Sequence, residues 1–369
     1  MADVTVVGGG LIGLAGAWRL AQRGASVVVC DPAPLSGASY AAAGMLAPVT
    51  EVHYGEELLL ALNLASAARY PGFVAELEDA AGQTVGHRTE GTLAVAFDAG
   101  DRAVLEELHA FQTKLHLDAE LLDRRECRRL EPMLAPSVHG GLHVAGDHQV
   151  DNRRLGKALL AAATRAGVDV RREAVTALTR DGDKVTGVTL ATGEQAATGT
   201  VVLAAGPWCN DLAGLPGDVP VRPVKGQILR LRTKVPFLTR TVRAVVQGST
   251  VYVVPREDGE IVVGATMEEM GFDTEVRAGA VYDLLRDAHA VLPGIAELEL
   301  VECRAGLRPG SPDNAPIVGP AAPGLLLATG HFRNGVLLTP ITAEAIAAYV
   351  VDGTMPDELL PFGPDRFAR

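Results

Sequence analysis

The feature of this sequence that most constrains its fold is a glycine-rich turn, GGGLIG at residues 8–13, which follows an apolar β-branched run and precedes a helical apolar pattern. A strand, a glycine turn and a helix in this order are typical of a dinucleotide-binding βαβ unit. Gly8 permits the tight turn, Gly10 lets a pyrophosphate approach the backbone, and Gly13 lets the helix pack closely on the strand. The turn therefore predicts a dinucleotide whose phosphates lie at the beginning of the first helix.

A second β-branched run, residues 26–30, ends at Asp31. This position, about 20 residues after the glycine turn, suits an acidic residue that accepts hydrogen bonds from the adenosine ribose. An acidic residue there also argues against a cofactor that carries a 2′-phosphate. The unit by itself leaves FAD and NAD as alternatives.

Composition excludes several other classes of protein. The formal charge of −12 opposes nucleic-acid binding, because such a protein needs a basic face. The four cysteines are far apart and lack the Cys/His spacing of a metal site, so we expect no metal and no disulfide framework. No run of about 18 apolar residues predicts a membrane span, and the N-terminus lacks the features of a secretory signal. We therefore expect a cytoplasmic protein.

Two kinds of segment alternate along the rest of the chain. Continuous apolar runs such as residues 200–204 suit strands buried on both faces of a central sheet, whereas other segments are typical of antiparallel strands. We therefore expect an α/β protein with a Rossmann-like FAD-binding domain and an interleaved α+β substrate domain built on an antiparallel sheet. The predicted boundaries are 1–90, 147–220 and 304–369 for the discontinuous nucleotide domain, and 91–146 and 221–303 for the substrate domain.

Four further stretches add specificity: AAAGML at 41–46, VYVVPR at 251–256, AGLRPG at 305–310 and GHFRNG at 330–335. Taken with the glycine turn, their order and spacing resemble the glycine oxidase branch of the D-amino-acid oxidase family of flavoproteins. The resemblance covers nearly the whole chain.

This resemblance implies FAD as the cofactor. It places Ala43, Gly44 and Met45 beside the flavin ring, and the residues from His331 to Leu337 over its pyrimidine end. The implied cofactor-binding residues are Gly8, Gly10, Leu11, Ile12, Gly13, Asp31, Pro32, Ala38, Ser39, Ala43, Gly44, Met45, Val175, His331, Phe332, Arg333, Asn334, Gly335, Val336 and Leu337.

The resemblance also implies that FAD is held without a covalent bond. Related sarcosine oxidases tether flavin through a cysteine ahead of a stretch like Ser311-Pro312-Asp313, and the matching position here is Gly306. Cys303 is close in sequence, but its offset does not suit that bond.

For the substrate, the candidate residues are Arg308, Tyr252, Met267, Arg333 and Met45. Arg308 lies among glycines and proline, where a guanidinium can capture a carboxylate in a bidentate pair; the alternative is a structural ion pair with Asp313. Tyr252 could add a hydroxyl hydrogen bond, the alternative being a half-buried strand tyrosine. Met267 would line the pocket, and Arg333 resembles the family's second arginine unless it pairs with a neighbouring carboxylate. We assign no base to His331.

The implied reaction is oxidation of glycine, sarcosine or small D-amino acids by hydride transfer to flavin. Its products are glyoxylate, ammonia and hydrogen peroxide, the pathway is thiamine thiazole biosynthesis, and the family suggests a homotetramer. Three alternatives remain open: a larger N-substituted glycine admitted by an entrance lid at residues 48–62, a dehydrogenase that uses an acceptor other than oxygen, and a flavin-bound module without activity.

Overall fold

The structure, a computed structural model, describes residues 2–367 and contains two eight-stranded sheets and one two-stranded sheet. The strands are β1 Ala2–Val7, β2 Val27–Cys30, β3 Met45–Leu46, β4 Thr92–Ala96, β5 Glu120–Leu122, β6 Gly141–Val144, β7 His148–Gln149, β8 Asp169–Arg171, β9 Val175–Asp181, β10 Lys184–Leu190, β11 Gln195–Leu203, β12 Arg222–Arg232, β13 Thr241–Val246, β14 Ser249–Pro255, β15 Glu260–Gly264, β16 Glu299–Gly310, β17 Ile317–Ala322 and β18 Leu325–Thr329. The α-helices are α1 Leu11–Gln22, α2 Ala38–Ala41, α3 Glu57–Ala81, α4 Ala99–Lys114, α5 Arg124–Leu130, α6 Asn152–Arg165, α7 Ala278–Val291 and α8 Thr339–Asp352.

The first sheet is the expected Rossmann-like unit. Six of its strands lie in the order β17-β18-β11-β1-β2-β8, and β1 pairs in parallel with both β2 and β11. The other two are β10, which pairs with β11, and β9, which pairs with β10. Helices α1, α3, α6 and α8 pack on one face, where Val4 and Val6 are buried, while Val201 and Leu203 belong to a second cluster on the other face. Burial on both faces explains the continuous apolar runs in these strands.

The second sheet has the order β16-β12-β15-β14-β13-β4-β6-β5. Neighbouring strands are antiparallel except for β13 and β4, which are parallel. Its core lies between the sheet and α7, whose Leu284, Ala288 and Val291 pack against the strands. Strand β16 runs through the boundary predicted at residues 303–304, because its pairing with β12 continues to Gly310.

Several elements were absent from the sequence-based expectations, among them one long helix and one strand of the second sheet. The segment expected to form a lid at residues 48–62 divides into a loop and the beginning of α3, which extends to Ala81 with Pro71 inside it. By length and composition alone α3 could cross a membrane, yet its buried side chains pack in the core of the first sheet against α6 and α8. The strand is β13, which joins the second sheet between β14 and β4.

Candidate active site

A cavity of about 1020 Å³ lies between the carboxyl ends of the central strands of the first sheet and one face of the second sheet. It brings together most of the predicted residues. Those that line it are Gly8, Gly10, Leu11, Ile12, Asp31, Pro32, Ala38, Ser39, Ala43, Gly44, Met45, Val175, Tyr252, Met267, Arg308, His331, Phe332, Arg333, Gly335 and Val336. Gly13, Asn334 and Leu337 do not line the cavity but lie behind its wall, all three being buried.

The glycine turn shapes one end of this cavity. Gly8 has φ +109°, a left-handed conformation that favours glycine, and a methyl group there would collide with the carbonyl oxygen of Ala204. Gly10 precedes α1 and has no side chain to cap the helix. The turn therefore leaves room for phosphate oxygens beside the positive end of the helix dipole.

Asp31 and Ser39 hold the turn in place. The Asp31 carboxylate accepts hydrogen bonds from the backbone N–H of Gly9 at 2.6 Å and of Ala33 at 2.7 Å. Ser39 Oγ accepts from the Leu11 N–H at 3.0 Å. Because each carboxylate oxygen can accept more than one hydrogen bond, these contacts leave Asp31 able to receive the ribose hydroxyls predicted to bind there.

The loop expected beside the flavin ring is fixed from the second sheet. Arg256, which directly follows β14, is 6% exposed, and its guanidinium donates to the carbonyl oxygens of Ala43 at 2.5 Å and Val150 at 3.0 Å. Burial lowers the pKa of Arg256 to about 10, so the side chain remains a cation at neutral pH. Arg256 ends the VYVVPR stretch and was not among the predicted site residues; in the structure it holds the backbone at Ala43.

Arg308 lines the part of the cavity that is expected to receive the substrate. Its guanidinium lies against Gly226 of β12, where any larger residue would collide with it, and its Nη1 donates to the carbonyl oxygen of Thr266 at 3.1 Å. Within residues 2–367 it forms no ion pair, since Asp313, the alternative partner, pairs with Arg366 at 2.8 Å. An arginine of this kind is available to a ligand carboxylate.

Tyr252 points into the same space. Its hydroxyl lies over Gly264 of β15, and the side chain lines the cavity with Arg308. Burial raises the pKa of Tyr252, although the positive charge of Arg308 acts in the opposite direction. The phenol is therefore protonated at neutral pH and can donate a hydrogen bond to a carboxylate.

The two methionines differ in position. Met45 lies in β3, and its sulfur is 3.9 Å from Nη1 of Arg243. Met267 is 61% exposed and contributes to the lining, so it lies at the mouth of the cavity.

The segment after β18 supplies the opposite wall. His331 is buried, its Nε2 lies 3.0 Å from Thr342 Oγ1, and burial lowers its pKa to about 3. It is therefore neutral and already hydrogen-bonded, which agrees with assigning it no role as a base. Arg333 donates to Glu56 at 2.9 Å, so it forms the ion pair with a neighbouring carboxylate that the sequence analysis gave as an alternative. Its buried Nε has no partner within the described residues. That unpartnered N–H can serve a bound ligand.

Sequence reasoning missed several lining residues, among them Glu51, His53, Tyr54 and Arg243. The first three belong to the 47–56 segment, the loop between β3 and α3. Arg243 lies on β13, and its guanidinium forms an ion pair with Glu51. The alternating β-branched pattern TVRAVV at residues 241–246 is the signal that could have revealed this strand.

The cysteines fit a cofactor bound without a covalent bond. Gly306 lines the cavity, whereas Cys303 on the same strand does not. Cys30 is the one cysteine of the four in the lining, at the end of β2, and burial raises the pKa of its thiol to about 11.

Comparison with known proteins identifies the family. The family model described as FAD dependent oxidoreductase, DAO, matches residues 3–349. The chain belongs to this family. FAD is accordingly its cofactor. Three features of the cavity would hold it: the glycine turn, the loop held by Arg256, and the unpartnered Nε of Arg333.

Individual relatives define the branch of the family. The chain is 34% identical to glycine oxidase of Geobacillus kaustophilus, covering 99% of this chain and 97% of that protein. It is 32% identical to the hydrogen cyanide synthase subunit HcnC of Pseudomonas aeruginosa, covering 99% and 96%. It is 36% identical to the bifunctional protein ThiO/ThiG of Trichormus variabilis, covering 100% of this chain but 55% of that protein, so it spans about half the length of such relatives.

Solved structures of similar proteins support the same family assignment. The crystal structure of the Geobacillus kaustophilus glycine oxidase matches with a TM-score of 0.91 at 33% identity, covering 100% and 99% of the two chains. That of an iminodiacetate oxidase from Chelativorans matches with a TM-score of 0.88 at 26% identity, covering 98% of each. The expected Rossmann-like fold with a second, sheet-based domain is thus confirmed, and the chain is an FAD-dependent oxidoreductase that is similar to glycine oxidases.

Proposed function

We propose that the protein oxidises a small α-amino acid, with glycine and sarcosine as its leading substrates, to glyoxylate. The observation that supports this most directly is Arg308, a cavity-lining arginine that has no acidic partner within residues 2–367 and lies close to a protonated Tyr252. A carboxylate is the ligand that this pair of donors suits. For glycine the balanced reaction is glycine, oxygen and water giving glyoxylate, ammonia and hydrogen peroxide.

The chain's own residues bind and orient the substrate. Arg308 donates two hydrogen bonds from its N–H groups to the carboxylate, and Tyr252 donates a hydrogen bond from its hydroxyl to the same group. Met267 closes the mouth of the cavity. When bound, FAD supplies the acceptor for the hydride that leaves Cα. The protein contributes orientation and a partly water-excluded cavity, and these effects can account for much of the acceleration.

No side chain needs to act as a base in this scheme. The substrate binds as the neutral amine, and the nitrogen lone pair forms the C=N bond as hydride leaves Cα. The buried, neutral His331 is consistent with this, because it is hydrogen-bonded to Thr342 and cannot take up a proton near neutral pH. The imine is then hydrolysed by water to glyoxylate and ammonia.

The relatives support two refinements of the proposal. The match to bifunctional ThiO/ThiG proteins supports a role in thiamine biosynthesis, and the match to an iminodiacetate oxidase supports the alternative of a larger N-substituted glycine. A cytoplasmic location and a homo-oligomer, such as a tetramer, stay predictions.

An amine panel tests the proposal. The FAD-loaded protein is assayed for hydrogen peroxide and glyoxylate with glycine, sarcosine, small D-amino acids and N-substituted glycines. We expect both products in equal amounts from glycine. Anaerobic bleaching of the flavin by glycine, without peroxide under air, would instead indicate a dehydrogenase, and an unchanged spectrum with every amine would refute the proposed activity.

A further inference from the structure

Among residues 2–367, three arginines line the cavity, and they differ in their partners. Arg308 forms no ion pair within the described chain, whereas Arg243 pairs with Glu51 and Arg333 pairs with Glu56. Both carboxylates come from the 47–56 segment. The segment therefore neutralises two of the three cations and leaves one for a substrate.

Arg243 lies close to the reacting end of the cavity. It sits directly opposite Tyr252 in the pairing of β13 with β14, so the two side chains extend from the same face of the sheet. Its Nη1 is 3.9 Å from the sulfur of Met45, in the loop expected beside the flavin ring. A second substrate carboxylate in this part of the cavity would meet Arg243 if Glu51 did not occupy it.

The position of Glu51 is fixed by buried contacts immediately before it. The carboxylate of Asp147, which is fully buried, accepts hydrogen bonds from the N–H groups of Val49 at 3.0 Å and Thr50 at 2.7 Å. Gln112 Nε2 donates to the Val49 carbonyl oxygen at 2.9 Å. Glu51 is thus held beside Arg243 by a rigid base, and a ligand anion must compete with a carboxylate of high local concentration.

We propose that Glu51 is a specificity residue: by occupying Arg243 it restricts the enzyme to amines with one carboxylate and disfavours amines whose N-substituent ends in a second carboxylate. This rests on the proposed function, since it assumes that Arg308 receives the first carboxylate. The side chains of Arg243 and Glu51 are 22% and 15% exposed, so solvent screens their charges only in part.

A binding measurement tests the proposal without turnover. Oxydiacetate, in which an ether oxygen replaces the amine, is titrated into the holoenzyme and followed by the change in flavin absorbance. The matched probe is its monoamide, which has the same size and one charge fewer. Homologues of both with one and two more methylenes in the tail ensure that the tail can reach Arg243.

We expect the wild-type protein to bind each amide more tightly than the corresponding diacid. In Glu51→Gln, Arg243 is free to bind the second carboxylate, so the diacid should bind more tightly relative to the amide. The ratio of the two dissociation constants should change by at least about tenfold at one tail length or more. The double variant Glu51→Gln/Arg243→Gln should lose this gain. Glu57→Gln removes the same charge from an exposed neighbour that does not line the cavity, so its ratio should match that of the wild type.

The inference is overturned if Glu51→Gln changes the ratio by less than about twofold at every tail length, or if the gain survives in the double variant. Because the readout is binding, its failure is separate from failure of the proposed function. If the wild type oxidises sarcosine but Glu51→Gln leaves the ratio of the two dissociation constants unaltered, only the role of Glu51 is refuted. A shifted ratio without turnover of any amine would refute the oxidase assignment alone.

Discussion

Replacement of Arg308 by methionine should abolish effective substrate binding while leaving the fold intact. A bidentate arginine–carboxylate pair contains two charge-assisted hydrogen bonds, each contributing about 1.5–3 kcal/mol. Their loss corresponds to about 3–6 kcal/mol, a rise of at least about 100-fold in the apparent KM for glycine. In the protein itself Arg308 donates one hydrogen bond, to Thr266, so the free energy of unfolding should fall by only about 1 kcal/mol.

Arg308→Lys separates charge from geometry. Lysine retains the positive charge but loses the planar fork, so the rise in KM should be intermediate, corresponding to about 1.5–3 kcal/mol. The assay is steady-state peroxide formation with glycine, accompanied by flavin content and urea unfolding of each variant.

Arg366→Met is the matched control. Arg366 pairs with Asp313 and donates to the Phe362 carbonyl oxygen, so this variant should lose stability and keep its KM. A KM of Arg308→Met within about threefold of the wild-type value would contradict the role of Arg308 in binding the carboxylate. A loss of activity that follows a loss of flavin or of folded protein would contradict it as well.

Three further predictions concern other parts of the cavity. Gly8→Ala introduces a methyl group that collides with the Ala204 carbonyl and strains the left-handed backbone at φ +109°. The purified variant should therefore contain little flavin, as measured by absorbance. His331→Gln should keep the shape of the pH profile of kcat/KM between pH 6 and 9, because burial lowers the pKa of His331 to about 3 and the ring does not titrate in that range. Loss of one of the inflections of the wild-type profile would contradict this. Burial raises the pKa of Asp147 from 3.8 to about 6, so its protonation stabilises the folded state below pH 4 and this contribution is lost as pH rises through 6. Relative to Asp147→Asn, the wild-type free energy of unfolding should therefore fall by about 2 kcal/mol from pH 4 to pH 7. A difference between the two proteins that stays constant with pH in urea unfolding would contradict this.

Local patterns predicted the nucleotide end of the molecule well. The glycine turn, α1 and β2 lie where the sequence places them. These elements are specified by short-range signals such as glycine conformation and helical periodicity. The resemblance to a known family then added Arg308 and Tyr252, which the structure brings to one cavity.

The missed contacts are all long-range. Glu51 and Arg243 are 192 residues apart in sequence, and Glu56 and Arg333 are 277 apart, so no local pattern could join them. The helix α3 was missed because its first turns were assigned to a lid and because Pro71 interrupts the helical pattern. The domain boundary predicted at 303–304 falls within β16, because the pairing of β16 with β12 is a long-range contact that continues to Gly310.

The contact between Arg256 and the Ala43 carbonyl has a consequence for engineering. One buried cation from the second sheet holds the backbone at Ala43, which is expected beside the flavin ring, so the two sheets are not interchangeable modules. A chimera that grafts the second sheet of a relative onto this nucleotide unit must retain an arginine at position 256, together with acceptors at Gln149 and Val150. A chimera that lacks these groups would lose the cofactor along with any change in its substrate range.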